Sequence, residues 1–528
     1  MKTNENIQLL EAENNSLKNK VAELQTLVQW YEEQFKLAQQ QRFGKSSEKT
    51  EQPEQLTIFN EAETQQDKNK PEPTIEEVIT YKRKKRVGKR DELFKDIPTI
   101  QVIHELPLEE QVCPKCGNLL HACGHEVARR ELEIIPAQVR AVEHVQTAYS
   151  CRECENTADD NAVPMVKAKT PSPVIAGSGV ASASLLSYII CNKYVLALPL
   201  YRQEQELMRL GVELSRQTMA NWIIYVANKW IAPLYELMRA ELLATELLHA
   251  DETTMQVIKE TGRTANQESY MWIYRTTANA PSPVVMFDYQ PTRSSSHPKR
   301  FLDSYAGYLH TDAYVGYKSL EKQGVIIVEC WAHVRRKFHD VLKILPKDER
   351  VNIPANTGYM YCNKLFELER LYDEEGISDD ERHKRRIIES KPVTEAFFEW
   401  AKAEGLKPTT LGKSVYGKAI AYAINQEQWL MNIYQDGRLA ISNNLAESSI
   451  RPFAIGRNNW MFAFSSKGAK ASSMMYSIVE TAKVNGILPF MYFSYLFEHM
   501  PNTNPDHFKR FLPWTTEIQL ACKQHAKH

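Results

Sequence analysis

Five short apolar runs separated by turns limit the folds open to this chain more than any other feature. They cover residues 247–251, 270–274, 284–287, 307–311 and 325–328. Runs of this length, rich in β-branched and aromatic residues and bounded by polar segments, read as buried strands. A helix-like segment, residues 298–305, falls between the third and fourth runs, and the fifth leads into a second helix at residues 331–338. Asp251 closes the first run and Asp312 follows the fourth.

Three strands, a helix and two further strands is the order of a ribonuclease-H-like sheet. In that architecture the first and fourth strands are neighbours, so Asp251 and Asp312 are expected side by side, with a third acid supplied by a later helix. Three carboxylates around one cleft repel each other unless cations occupy it. Phosphodiester chemistry uses such a cluster to hold two Mg²⁺ ions about 3.5–4 Å apart, one activating the attacking oxygen and one stabilising the leaving oxygen. For the third acid the residues leave two places open. One is Asp348 with Glu349, in a polar turn-like stretch behind Pro346; the other is Glu447, in the first two turns of a helix capped by Ser442 or a neighbouring Asn. The second choice requires a long insertion, and residues 355–437 read as mostly helical. Arg451, Arg457 and Lys467 then stand ready for phosphates.

The rest of the chain reads as separate modules. Residues 5–43 lack Gly and Pro and repeat every seven residues, with Ile7, Asn14, Val21, Val28 and Phe35 at one apolar position and Leu10, Leu17, Leu24, Tyr31 and Ala38 at the other. This is a coiled-coil seam, and a lone Asn at one position selects two parallel strands, so a homodimer is expected. Residues 46–80 are too polar to bury a core. They lead to Lys82, Arg83, Lys84, Lys85, Arg86, Lys89 and Arg90, seven cations in nine residues, a block suited to DNA phosphates of any sequence. Cys113-Pro-Lys-Cys116 and Cys151-Arg-Glu-Cys154 offer four thiolates in two knuckles, the donor set of a closed structural Zn²⁺ site. Residues 138–150 read as strand between the pairs. Residues 180–245 read as helical, and the stretch through Gly211 and Ser215 fits a helix-turn-helix and a packed helical pair with no DNA in its groove equally well.

Composition removes several classes. Lys plus Arg is 65 against Asp plus Glu 66, so DNA affinity has to come from local clustering. Nine cysteines are too few for a disulfide scaffold and favour a reducing compartment. The first residues lack the apolar core of a signal peptide. The longest uncharged stretch, residues 170–193, is broken by prolines and glycines and falls short of the roughly 20 apolar residues of a membrane span. A cytoplasmic, nucleoid-associated protein without membrane contact is expected.

The ordered motifs resemble those of a known family, the DDE transposases of bacterial insertion sequences, specifically the insertion sequence sixty-six family. They run from Arg42-Phe-Gly-Lys-Ser46 and the cysteine pairs through Leu198-Pro-Leu-Tyr-Arg202, Asp251-Glu-Thr253 and Thr311-Asp-Ala-Tyr-Val-Gly-Tyr317. They continue with Cys330-Trp-Ala-His-Val-Arg-Arg-Lys-Phe338, Asn443-Asn-Leu-Ala-Glu447, Gly456-Arg-Asn-Asn-Trp460 and Thr481-Ala-Lys-Val-Asn-Gly486. The resemblance implies a transposase that cuts at the ends of its own element and joins the freed 3′ ends to target DNA, with Mg²⁺ or Mn²⁺ held by Asp251, Asp312 and Glu447. It also implies small accessory transposition proteins as partners, beside double-stranded DNA.

The expected architecture is multidomain α+β. It comprises a coiled coil (1–45), a linker with the basic block (46–95), a zinc-binding module (96–165) and a helical region (166–245). A ribonuclease-H-like α/β catalytic core (246–343 and 438–490) follows, interrupted by a large helical insertion (344–437), with a C-terminal element (491–528). Two other functions remain to be separated from this one. A non-catalytic dimeric zinc-containing DNA-binding regulator explains the N-terminal modules equally well, and a nuclease for Holliday junctions or RNA:DNA hybrids uses the same sheet without joining strands.

Overall fold

The computed structural model describes residues 138–150, 165–177, 180–346, 349–410 and 412–523, together with residues 118 and 127. The coiled-coil positions, the basic block at residues 82–90, all four paired cysteines (Cys113, Cys116, Cys151 and Cys154) and Asp348 lie outside the described residues.

A two-stranded antiparallel ladder comes first, β1 (Ala148–Ser150) with β2 (Met165–Lys167). Residues 138–147 carry no regular structure, so the strand expected over 138–150 is real only at its last three residues. Its partner lies beyond the second cysteine pair, not between the pairs. A helical layer follows: α1 (Ala183–Tyr194), α2 (Leu200–Arg209), α3 (Arg216–Val226) and α4 (Ala232–Leu243), the last two joined by one π-helical turn. Gly211 takes φ +82° in the turn after α2, a conformation that leaves glycine as the natural occupant. The Ser215 hydroxyl accepts from the Thr218 amide at 3.1 Å and caps α3. Met219, Trp222, Ile223 and Val226 turn inward, so α3 is a core helix on one face.

The sheet is built from β3 (Leu247–Lys259), β4 (Glu268–Thr276), β5 (Val285–Gln290), β6 (Tyr308–Thr311) and β7 (Ile326–Glu329). Short α5 (Ser296–Phe301) connects β5 to β6, and α6 (Val315–Lys318) begins the link to β7. The spatial order is β5-β4-β3-β6-β7. The first three strands form an antiparallel meander, while β6 pairs parallel to β3 and β7 parallel to β6. All five strands expected from sequence are present. β3 and β4 run longer than their apolar cores because antiparallel pairing continues from Leu248↔Thr276 out to Gln256↔Glu268.

After β7 the chain enters α7 (Trp331–Lys343) and then a helical block of α8 (Pro354–Glu375), α9 (Asp379–Arg385), α10 (Lys391–Gly405) and α11 (Val415–Leu430). This block has its own apolar core around Trp331, Phe338, Phe397 and Phe398. The chain then returns through α12 (Asn444–Trp460), which lies along β3, a short β8 (Ala463–Ser465) paired parallel to the far end of β3, and α13 (Ser466–Val484) against β5. Helices α14 (Pro489–His499) and α15 (Thr516–Cys522) finish the described chain. The main core joins the sheet to α1, α3, α4, α12, α13 and α14, with Met474, Met475 and Tyr476 buried inside it as packing residues.

Candidate active site

The parallel register of β3 with β6 pairs Leu248 with Leu309 and His249 with His310. Continuing two residues brings Asp251 level with Asp312, on strands about 4.8 Å apart. Side chains two apart share a face, so His249 and Asp251 point the same way, as do His310 and Asp312. The two imidazoles stack at 5.1 Å with planes 12° apart. They form a buried floor beneath the two acids.

Asn443 fixes where α12 begins on this floor. It is fully buried. Its side-chain oxygen meets His249 Nδ1 at 3.0 Å, its amide nitrogen donates to the Ala250 carbonyl at 2.8 Å, and its backbone N–H donates to Cys330 Sγ at 3.1 Å. Because its amide is committed to β3, it makes no side-chain cap to its own helix. Further along, Arg275 of β4 donates to the Leu445 carbonyl at 3.3 Å and to the Ser449 hydroxyl. Near the far end, Arg457 donates to the Thr253 hydroxyl at 3.2 Å and to the Thr254 carbonyl. Helix α12 is thus tied to the sheet at both ends, and Glu447 falls in its first turn.

The charges meet here. Burial holds the Asp251 carboxyl well above the ordinary carboxylate range, and the neighbouring charges of Glu252, Asp312 and Glu447 push it the same way. Its Oδ1 accepts from the Glu252 amide at 2.8 Å, and Asp312 Oδ1 accepts from the Tyr314 amide at 3.1 Å. Glu447 Oε1 lies 3.8 Å from His333 Nε2, and its Oε2 lies 3.6 Å from Arg336. Glu447 Oε1 and His333 Nδ1 are both buried without a hydrogen-bond partner. Burial lowers the His333 imidazole from its ordinary value, with Glu447 opposing that shift.

Other sequence candidates sit elsewhere. Glu349 is exposed and is not among the charges that act on Asp251. Glu252, on the strand face opposite Asp251, is held by Arg293 and by the Tyr317 hydroxyl at 2.6 Å. Arg451 and Lys467 are exposed. Arg457, expected to be free for phosphate, instead has one guanidinium nitrogen bonded to β3, because the helix needs that tie where it leaves the sheet. His333 stands beside Glu447. Arg336 and the Asn443 clamp were not anticipated at all. A signal was present: His-x-Asp occurs near the start of β3 and across the end of β6, and a cationic helix start follows β7.

The donor chemistry suits a divalent cation. Burial and the neighbouring acids push the Asp251 carboxyl well above its ordinary range, and one oxygen of Glu447 is buried without a hydrogen-bond partner; each is a deficit that a cation removes.

Comparison with known proteins points the same way. Residues 178–471 match the family described as Transposase IS66 family, residues 110–155 the zinc-finger binding domain of transposase IS66, and residues 477–514 the IS66 C-terminal element. Residues 30–102 match a domain described as Transposase C of IS166 homeodomain. Among similar curated proteins, the uncharacterized protein y4jD of Sinorhizobium fredii is 28% identical over 435 residues, covering 80% of this chain and 81% of its own. The uncharacterized protein y4hP of the same organism is 27% identical over 434 residues, covering 79% and 75%. No helix among the described residues is long and apolar enough to cross a membrane. With the transposase match spanning more than half of its length, the chain belongs to the IS66 transposase family.

Proposed function

We propose that this protein is a DDE transposase that cleaves DNA strands at the ends of its insertion sequence and transfers the freed 3′ ends to target DNA, using divalent metal held by Asp251, Asp312 and Glu447. The observation that carries the reading is the register that sets Asp312 level with Asp251, with Glu447 in the first turn of the helix that Asn443 ties to the same strand, although the three acids are scattered over nearly two hundred positions. The strand order and mix of antiparallel and parallel pairs support a ribonuclease-H-like core.

When bound, a pair of Mg²⁺ or Mn²⁺ ions supplies activation of the attacking oxygen and stabilisation of the leaving one. The chain's own residues do the rest. Asp251 presents its oxygens from within β3 and Asp312 from just past the end of the neighbouring β6. Asn443 and the stacked histidines hold the start of α12 so that Glu447 faces them. Arg336 lies beside Glu447, and Arg451 on α12 and Lys467 at the start of α13 are exposed, suited to phosphate oxygens. On this reading Cys113, Cys116, Cys151 and Cys154 hold a structural Zn²⁺, residues 1–45 pair two copies, and the block from Lys82 to Arg90 adds sequence-independent DNA affinity.

Purified protein with labelled element ends and Mg²⁺ or Mn²⁺ tests the reading. Nicked and joined products are expected, and are lost in Asp251→Asn, Asp312→Asn and Glu447→Gln. Full activity in Glu447→Gln would remove the third acid from the assignment. Metal-independent binding with all three acids dispensable would make the protein a DNA-binding regulator.

A further inference from the structure

A second donor set, of different chemistry from the three carboxylates, also includes Glu447. Cys330 caps the start of α7, His333 follows three residues later, and Glu447 lies in the first turn of α12. One sulfur, one imidazole nitrogen and one carboxylate oxygen thereby fall within 4.8 Å of one another. Residues three apart share a helix face, so Cys330 and His333 look toward α12 together. The two helix starts are joined by the Trp331 amide donating to the Ile441 carbonyl at 3.1 Å and by the Asn443 amide on Cys330 Sγ, also at 3.1 Å. The sulfur is therefore held in place by the fold.

The spacing suits one ion. His333 Nε2 and Glu447 Oε1 are 3.8 Å apart, close to the roughly 3.3–3.7 Å between ligand atoms that tetrahedral bonds of about 2.0–2.3 Å impose. Glu447 Oε1 is buried and has no hydrogen-bond partner, a state that calls for a cation. The side chains of Glu447 and His333 are 27% and 23% exposed, giving an ion a path inward to Cys330. Arg336, near the other Glu447 oxygen, is about half exposed and free to swing outward.

The two donor sets select different metals. Mg²⁺ takes oxygen ligands, whereas thiolate with imidazole favours Zn²⁺ and its borderline neighbours. We propose that Cys330, His333 and Glu447 form a site for a thiophilic divalent cation such as Zn²⁺, and that filling it withdraws Glu447 from Asp251 and Asp312 and so switches off strand chemistry. Three protein donors leave the fourth position to water, and the Cys330 thiol releases its proton to solvent on binding. The binding claim stands on geometry alone; only its inhibitory consequence rests on the proposed transposase reading.

Cobalt titration of the full-length protein, with the cysteine-pair module already filled by Zn²⁺, tests it. Wild type is expected to take up a further equivalent with a thiolate-to-cobalt charge-transfer band. Affinity should fall at least about tenfold in Cys330→Ala and in His333→Gln and persist in Asp251→Asn. If Cys330→Ala fails to fold, His333→Gln carries the same readout. The absence of a further equivalent in wild type, or equal uptake by folded Cys330→Ala and His333→Gln, overturns the site. In Mg²⁺, excess Zn²⁺ is expected to lower wild-type strand transfer about tenfold or more and Cys330→Ser far less, each measured against its own zinc-free rate; equal inhibition of the two overturns the switch. A cobalt site in a protein that shows no strand transfer under any condition would leave the metal site standing and sink the transposase reading instead.

Discussion

Asn443 does at the residue scale what no local rule asks of an N-cap: it spends its amide on β3 and its backbone N–H on Cys330. Asn443→Ala would leave the Ala250 carbonyl and His249 Nδ1 without those partners in a buried place. A loss of about 2–6 kcal/mol is expected by denaturant unfolding, at about 1–3 kcal/mol per orphaned group. Strand-transfer activity should fall further than the remaining folded fraction explains, since Glu447 loses its anchor. A second residue gives a pH signature. Burial pushes the Asp288 carboxyl up to about 6, against the opposing pull of Gln290, Arg300, Arg239 and Lys470. The folded protein therefore binds an extra proton between the unfolded value of about 3.9 and about 6. This contribution to stability is complete below the lower value and is lost as pH rises through about 6. Asp288→Asn should thus stabilise the protein at pH 8 relative to wild type, and the gain should vanish near pH 4 in thermal melts.

Edge strand β5 shows how an element is protected. An edge leaves alternate backbone groups unpaired and open to association. Here α13 lies along it, and two hydroxyls one turn apart accept from its amides: Ser477 from Phe287 at 2.8 Å and Thr481 from Val285 at 3.0 Å. Thr481 also donates to the Val285 carbonyl at 2.9 Å. Replacing both, as Ser477→Ala with Thr481→Val, strands two buried amides and is expected to destabilise by about 2–5 kcal/mol in denaturant titration, on the usual scale for unmade buried bonds. Helix α12 shows a local rule overridden. Pro452 removes a backbone donor and normally breaks a helix, yet α12 continues to Trp460. The bonds from Arg275 and Arg457 to the two halves hold both against the sheet.

For the whole molecule, expectations reach the N-terminal modules. Metal analysis should find about one equivalent of Zn²⁺ lost in Cys113→Ser and Cys151→Ser, and metal-free wild type would end the zinc assignment. Neutralising the cations from Lys82 to Arg90 should weaken binding to all DNA sequences alike and flatten its salt dependence, as read by fluorescence anisotropy over a salt series. An unchanged slope would make the block a passive charged segment.

The five strands and the helical block were readable from the sequence because each is set by neighbours, apolar runs and turn residues, and the placing of Asp251 beside Asp312 followed from the strand order. Sequence also carried the family motifs on which the proposal of Glu447 over Glu349 rests. Contacts across nearly two hundred residues were not readable. Arg457 looked free for phosphate and is partly spent on Thr254, nothing local marked His333 as the neighbour of Glu447, and nothing local marked Asn443 as the clamp. Local periodicity decides which segments become strands and helices, since side-chain burial and backbone pairing act over a few residues. Only the packed fold decides which charges meet and which polar groups lose water, because desolvation and Coulomb terms depend on distance in space and not along the chain.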